Sequence, residues 1–379
     1  MRKILLLTEI FPPVHGGSGR WFWEIYRRFP HGSVEALTDD LPNVSLTDES
    51  FPHPIHRTRM AKDRFGVASL AGLQYYFHIW KKLDLLVRTR EIQQVHCGRL
   101  IPEGVPALLN KFRRGVPFTC YVHGEDVEIA RTSREISMLT RWVLPRAEKI
   151  VANSNNTRDL LTRWWKIDED RIVVMTPGVD IEHFHPSHSK KRRESWNQKK
   201  VIVTVGRLVP RKGQDMMIRA LPLIRESVKD AYYCIVGGGA EEQHLRDLAD
   251  SHGVSDIVEF AGELTDDQML ACYQDCDLFA LPNRRVMNDD EGFGMVLLEA
   301  QSCGKAVLAG DSGGTRETML LGETGVIADC TTPQSLAKSV VNLLQDTARL
   351  QQMGLNGRQF MERSFSWTEL AQTAMERLK

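Results

Sequence analysis

Two glutamates stand eight residues apart, Glu291 and Glu299, around the segment Gly292-Phe293-Gly294-Met295-Val296-Leu297-Leu298. On an ideal helix eight residues advance about 12 Å and end about 80° out of phase. That is too far for a pair of carboxyl groups that must stand roughly 5–5.5 Å apart to cleave a glycosidic bond with retention. It suits two carboxylates gripping different parts of one extended ligand, such as a sugar and a ribose. Gly292 and Gly294 let backbone N–H groups at a helix start approach sugar hydroxyls or a phosphate. The plain alternative is an ordinary helix with an acidic first turn, which the helix dipole favours.

A second segment, Val205-Gly206-Arg207-Leu208-Val209-Pro210-Arg211-Lys212-Gly213, follows a strand pattern and carries three cations. A departing diphosphate needs fixed positive charge, and Arg grips phosphate bidentately where Lys acts as a point charge. A solvated basic loop is the bland reading; a position at the carboxyl end of a strand weighs against it. Gly16-Gly17, ahead of a helix, offers backbone N–H groups to another phosphate. His123-Gly124-Glu125-Asp126 follows the strand Phe118–Val122, and a lone His there is more often structural. Gly237-Gly238-Gly239 lacks the spacing of a dinucleotide turn, and Ser312-Gly313-Gly314 is a further glycine loop after a strand. The triplets Asp168-Glu169-Asp170 and Asp275-Cys276-Asp277 have the Asp-x-Asp form of metal-dependent transferases, but carboxylates at turns are common, and no metal is expected.

The elements that must hold these loops alternate along the chain. Short apolar runs at 4–7, 34–37, 93–96, 118–122, 149–152 and 172–175 read as strands, and so do 201–205, 232–236, 257–260, 277–281 and 306–308. Helical patterns lie between them: Phe22, Ile25, Tyr26 and Phe29 share one stripe, and Met217, Ala220, Leu221 and Ile224 another. Pro333 suits the first turn of a late helix. Such alternation implies parallel sheets covered on both faces, with ligands at the carboxyl ends of the strands. The stretch Phe65–Arg88 repeats Leu70, Leu73, Phe77 and Trp80 at helical intervals beside Lys81-Lys82. Either that stripe is core, or it meets an anionic lipid surface.

The 379 residues suffice for two cores. No run is long and apolar enough to span a bilayer, and the start Met1–Leu7 reads as a buried strand rather than a signal peptide. The seven cysteines form no ligand cluster and read as reduced core thiols; a cytoplasmic protein is expected, or one peripheral to the inner face of the membrane. Net charge is zero but divided: 30 Lys+Arg against 23 Asp+Glu in residues 1–195, and 19 against 26 in the rest. The basic half suggests an anionic surface or simply a complementary partner half; nucleic acid is not expected. Between the halves lies 186–200 with Lys190-Lys191-Arg192-Arg193, a solvated linker or a headgroup patch.

Together these segments resemble glycosyltransferase family 4, the retaining group with the GT-B fold: two Rossmann-like domains facing across a donor-binding cleft. The resemblance rests on Phe11-Pro12-Pro13 with Gly16-Gly17, His123-Gly124-Glu125, Gly178-Val179-Asp180 with Phe184-His185-Pro186, Gly206-Arg207 with Arg211-Lys212-Gly213, and Glu291 with Glu299. From Thr204 through Met319 the chain is most similar to bacterial phosphatidylinositol-mannoside mannosyltransferases. It implies that Arg207 and Lys212 hold the donor diphosphate and that Glu299 meets the ribose. It implies that Glu291, with Gly292, Phe293 and Gly294, holds the sugar. Met295, Val296 and Gly206 lie on the donor side, Gly16 and Gly17 near the distal phosphate, and His123 near the reacting carbon. Thr176-Pro177-Gly178 and the insertion Asn283–Asn288 depart from the family pattern.

The expected layout is therefore an acceptor-side domain over 1–186, a nucleotide-sugar domain over 187–363, and a helix from about 364 to 379 crossing back to the first. The expected activity is retaining transfer of a hexose to a hydroxyl on a glycan or lipid-linked acceptor. GDP-mannose comes first as donor, UDP-glucose second, and no cofactor or metal is needed. A GT-B protein that has lost catalysis and binds sugar or nucleotide as a partner stays open as an alternative class.

Overall fold

The computed structural model describes residues 2–14, 16–42, 44–60, 66–187, 192–287 and 289–378. Phe65, Asn288 and the Lys190-Lys191 half of the basic cluster lie outside the described residues. The chain divides into two compact units, Met1–Pro177 with Trp367–Lys379, and Gly178–Ser366.

Among the described residues, unit 1 carries seven parallel strands: β1 (Ile4–Leu7), β2 (Val34–Thr38), β3 (Ile55–Arg57), β4 (Gln94–Cys97), β5 (Phe118–Val122), β6 (Lys149–Ala152) and β7 (Ile172–Val174). Their order in the sheet is β3-β2-β1-β4-β5-β6-β7. Unit 2 carries β8 (Lys200–Val205), β9 (Ala231–Val236), β10 (Val258–Gly262), β11 (Leu278–Leu281), β12 (Val307–Gly310) and β13 (Gly325–Ala328), in the order β10-β9-β8-β11-β12-β13. Both orders reverse direction once, between β1 and β4 and between β8 and β11. The strands beside each reversal are buried almost throughout, which is why they read as unbroken apolar runs. At such a reversal neighbouring loops part to opposite faces and leave a crevice at the carboxyl ends.

Two strands were not foreseen in the sequence, β3 and β13. Both are edge strands of three or four residues, and partial burial leaves them little apolar signal. The late helix Pro333–Leu344 starts as expected, with the Thr332 hydroxyl accepting from the Ser335 N–H.

The unit boundaries differ from those read in the sequence. The segment 178–186 packs with unit 2: the Val179 N–H donates to the Phe365 carbonyl, and Phe184 lies edge-on to Tyr273. As expected, the helix Thr347–Ser364 belongs to unit 2 and the helix Trp367–Arg377 to unit 1, where it packs on the helix Gly17–Tyr26. Proline and glycine at 177–178 looked like the interior of a motif, whereas the chain changes unit there.

The stripe of the helix Leu70–Thr89 is also corrected. Its buried face is Gly72, Tyr75, Tyr76, Ile79, Leu83 and Val87, one step round from Leu70, Leu73 and Phe77, all of which are exposed. Trp80, the fourth member of the stripe, is half-buried, so the core reading fails for the other three. No described helix is long and apolar enough to cross a membrane.

In the core of unit 1 the Tyr121 and Tyr26 hydroxyls meet at 2.9 Å, and Tyr26 meets Nδ1 of His96 at 2.5 Å. Burial, with repulsion from Lys149 and Arg2, pushes the His96 imidazole down to about 3, so it is neutral at neutral pH. An unfolded imidazole titrates near 6.5, so the unfolded chain takes up the proton first. This contribution to stability is present above pH 6.5 and is lost progressively as pH falls towards 3. The melting temperature is expected to drop between pH 6.5 and 4, and His96→Asn to flatten that drop. An equally steep drop in the variant would place the acid lability elsewhere.

Candidate active site

In unit 2 the strand reversal brings together two loops some eighty residues apart in sequence. β8 and β11 lie side by side, with the Thr204 hydroxyl donating to the Ala280 carbonyl at 2.6 Å. Past β8 the chain turns through Gly206 and a single 3-10 turn, Pro210–Lys212, into the helix Gln214–Ser227. Gly213 has φ +77°, and a Cβ there would stand 1.8 Å from the Pro282 carbonyl oxygen at the end of β11. Only glycine lets the two loops approach this closely. Gly313 does the same on the other side, where a Cβ would meet the Glu291 carbonyl oxygen at 1.7 Å.

Glu291 sits between these contacts. One of its oxygens, Oε2, accepts from Nη1 of Arg211 at 2.7 Å and from Nζ of Lys212 at 2.7 Å. Arg211 also turns Nε to Asp289 at 3.0 Å. All three core members of the cluster are buried: Arg211 is 6% exposed, Lys212 8% and Glu291 7%. Burial alone would raise the Glu291 carboxyl, but Lys212, Arg211 and the more distant Arg207 outweigh it and hold it below the usual carboxylate range. Glu291 is thus ionised at neutral pH. Arg207 itself is exposed, at the mouth of the loop, with its carbonyl accepting from Gln214 Nε2 at 3.2 Å. Neither Arg211 nor Asp289 has a separate role in the sequence pattern; three cations in one loop are the signal, and the partner that ranks them lies far away in the chain.

Beyond Glu291 the chain passes Gly292 and the buried Phe293 to Gly294, which has φ +93° and starts the helix Met295–Ser302. Gly294 provides no side-chain cap, and Met295 and Val296 form the first turn, where backbone N–H groups have no intrahelical acceptor. Glu299 follows on that helix, 7% exposed, and accepts from the Tyr273 hydroxyl at 2.6 Å. Tyr273, fully buried, is a positioning residue that sequence reading missed, because its helix shows it only as an apolar stripe member. The two glutamates thus serve one edge of the sheet, one on a loop and the other on a helix.

The Asp-x-Asp triplets lie at the other ends of their strands. Asp277 precedes β11 and accepts from the Val201 N–H and from Arg192, each at 2.7 Å; Asp275 accepts from the Arg193 N–H. Asp168-Glu169-Asp170 forms the turn into β7. These carboxylates brace strand starts, away from the carboxyl-end loops.

Unit 1 has its own reversal, at β1 and β4. Gly98 follows β4, and a Cβ there would meet the Thr8 hydroxyl at 2.4 Å. The Gly98 carbonyl, which can only accept, takes a hydrogen bond from Nε2 of His123 at 2.8 Å. The proton of a neutral ring therefore sits on Nε2, and Nδ1 faces the Ser18 hydroxyl at 3.4 Å. Both nitrogens of His123 are engaged within the unit, with Trp21 and Phe22 edge-on to the ring. Gly16 and Gly17 open the helix that carries these aromatics, exposed and without a side-chain cap. His123 and the Gly16-Gly17 loop are thereby brought to one edge of the unit 1 sheet.

The chain therefore holds two parallel, doubly wound sheets, one bearing a buried cation–carboxylate cluster at the carboxyl ends of its strands. Residues 15–183 match the family described as Glycosyltransferase Family 4, and residues 187–360 that described as Glycosyl transferases group 1. The chain is 39% identical to a GDP-mannose-dependent alpha-(1-6)-phosphatidylinositol monomannoside mannosyltransferase of Mycolicibacterium smegmatis, over 96% of this chain and 95% of that protein. It is 39% identical to the corresponding monoacylated-acceptor enzyme of Corynebacterium glutamicum, over 97% and 95%. A D-inositol 3-phosphate glycosyltransferase of Salinispora tropica is 31% identical, over 97% and 83%. Among solved structures, Anabaena HepE in complex with UDP and glucose superposes with a TM-score of 0.83 at 21% identity, covering 100% and 99% of the two chains. The chain belongs to glycosyltransferase family 4. It is an enzyme that transfers a hexose from a nucleotide sugar to an acceptor hydroxyl.

Tyr273→Phe removes one hydroxyl from a buried carboxylate and nothing else. It is expected to destabilise the chain by about 1.5–3 kcal/mol, the range for hydrogen bonds to charged groups. Tyr232→Phe, whose hydroxyl meets the part-exposed Glu259 at 3.3 Å, is the control and should cost less. Urea titration of both reads the difference, and equal losses would show that the Tyr273 hydroxyl does not hold Glu299.

Proposed function

We propose that this chain transfers mannose from GDP-mannose, with the anomeric configuration retained, to a hydroxyl of a lipid-linked acceptor at an anionic membrane surface. The observation that carries the donor side is the cation loop of unit 2, with Arg207, Arg211 and Lys212 set around Glu291 at the strand reversal. The names of the relatives at 39% identity support mannose and the lipid acceptor.

In the reaction as proposed, the acceptor oxygen attacks the anomeric carbon on the face from which the nucleotide departs. The bond from that carbon to the phosphate oxygen breaks, and the same oxygen takes the acceptor's proton. Arg207 and Lys212 stabilise the charge that grows on the diphosphate, and no divalent ion is required. Glu299, fixed by Tyr273, holds the ribose hydroxyls. Glu291 and the N–H groups from Gly292 to Val296 hold the sugar. The Gly16-Gly17 turn and His123 serve the unit 1 side, His123 by its shape and engaged ring rather than as a free base.

Lys212→Ala should lower the turnover number by on the order of 10²–10³, as for other groups that stabilise transition-state charge. A thermal-shift panel of GDP-mannose, UDP-glucose and the bare nucleotides should rank GDP-mannose first. Turnover should survive excess chelator. A preference for UDP-glucose would change the donor, and rescue of a chelated enzyme by magnesium or manganese would overturn the metal-free mechanism.

The acceptor side draws on the exposed face of unit 1. Phe77 stacks on Trp80 at 5.7 Å with Lys81 over its ring at 4.5 Å. On the next helix, Gly104–Arg114, Phe112 is exposed; Arg113 lies over Trp80 at 5.5 Å and Arg146 over Phe112 at 6.0 Å. Exposed aromatics held among cations suit the interface of an anionic bilayer. Phe77→Ser with Phe112→Ser should cut sedimentation with anionic vesicles about tenfold and leave GDP affinity unchanged. Equal binding to neutral and anionic vesicles, or none at low salt, would sink the membrane assignment.

A further inference from the structure

Lys212 has two calls on its charge. Its ammonium lies 2.7 Å from Glu291, yet under the proposed function the same ammonium must meet the donor diphosphate. Arg211 shares the same carboxylate oxygen, at 2.7 Å, and is the more firmly fixed of the two. Its Nε reaches Asp289 at 3.0 Å, and its carbonyl accepts from the Arg284 N–H at 3.0 Å. Arg284 is itself forked onto Asp215, both contacts at 2.8 Å. The Lys212 stem, by contrast, runs over Gly206, where a Cβ would only touch it at 3.5 Å. The Arg211 guanidinium thus meets two carboxylates, Glu291 and Asp289, where the Lys212 ammonium meets Glu291.

We propose that Arg211 is the positioning residue of an ion-pair exchange: when a nucleotide sugar binds, Lys212 leaves Glu291 for the diphosphate while Arg211 keeps Glu291 in place for the sugar. This rests on the donor reading above and adds the residue that lets one lysine serve both states. Glu291 is then an internal counter-ion of the loop and competes with the incoming phosphate for Lys212. Burying two cations without any counter-charge would be strongly unfavourable, which is why the loop needs a carboxylate there. Arg211 weakens that competition by sharing the carboxylate. A guanidinium can do so because its planar fork presents Nε to Asp289 and Nη1 to Glu291 at once, as an ammonium cannot.

The consequences have opposite signs in two variants. Glu291→Gln frees Lys212 and should tighten binding of the bare nucleoside diphosphate about tenfold, while transfer collapses for want of the sugar contact. Arg211→Gln leaves Glu291 to Lys212 alone and should weaken the nucleoside diphosphate by a similar factor. The double variant should recover at least wild-type nucleotide affinity and remain defective in transfer. Arg211→Lys, with one charge and no fork, should fall between wild type and Arg211→Gln. Calorimetry with GDP and, in parallel, UDP reads affinity, with transfer kinetics alongside.

A weakness of Arg211→Gln that persists in the double variant, or no weakness at all, would overturn the exchange. Unchanged or weaker affinity in Glu291→Gln would overturn it too, and that variant answers even if Arg211→Gln does not fold. If the wild-type chain bound neither nucleotide, the donor reading itself would fall, and the exchange with it.

Discussion

The carboxyl-end loops of unit 2 depend on one carboxylate oxygen, Oε2 of Glu291, shared by two cations. Each charge alone would be costly to bury, and together they are tolerated because Glu291 and Asp289 balance Arg211 and Lys212. The loops around them are fitted to that requirement. Gly213 and Gly313 permit backbone approaches that any Cβ would forbid, and these approaches set Glu291 within reach of the Arg211-Lys212 turn. The result is a buried charge cluster held at the carboxyl ends of the β8 and β11 strands.

Unit 1 solves a different problem with the same strand order. Its reversal point carries an ion cluster of its own, with Arg99 after β4 paired to Glu9 after β1 and to the buried Glu103. There the His123 ring is locked between the Gly98 carbonyl and Ser18, under the edges of Trp21 and Phe22. A ring so engaged shapes a surface more readily than it moves a proton, and that agrees with a mechanism in which the leaving phosphate is the base. The outer helices of the unit hold exposed Phe77 and Phe112 among lysine and arginine.

The Glu299 helix illustrates how the enzyme separates binding tasks. Glu291 belongs to a loop whose charge partners are cations, so its environment changes with whatever else those cations meet. Glu299 has a neutral partner, the Tyr273 hydroxyl, on a buried helix, so its orientation is set by packing. Two carboxylates eight residues apart thereby meet partners of different chemistry.

Much of this was legible in the sequence. The strand–helix alternation, the cation loop, Glu291 with Glu299, and the membership of family 4 all rest on local patterns, and local periodicity and turn chemistry are what a chain encodes residue by residue. The short edge strands β3 and β13 left too little apolar signal to be read. The apolar recurrence of Leu70, Leu73 and Phe77 was visible, but whether it faced a core or solvent was not, since periodicity gives a stripe and not its partner. Arg211 and Arg207 look alike in sequence. Which of them is buried depends on Glu291, eighty positions on, and on two glycines that let the loops close. Only the tertiary structure could decide that, because the energy of a buried charge is fixed by the groups that surround it in space.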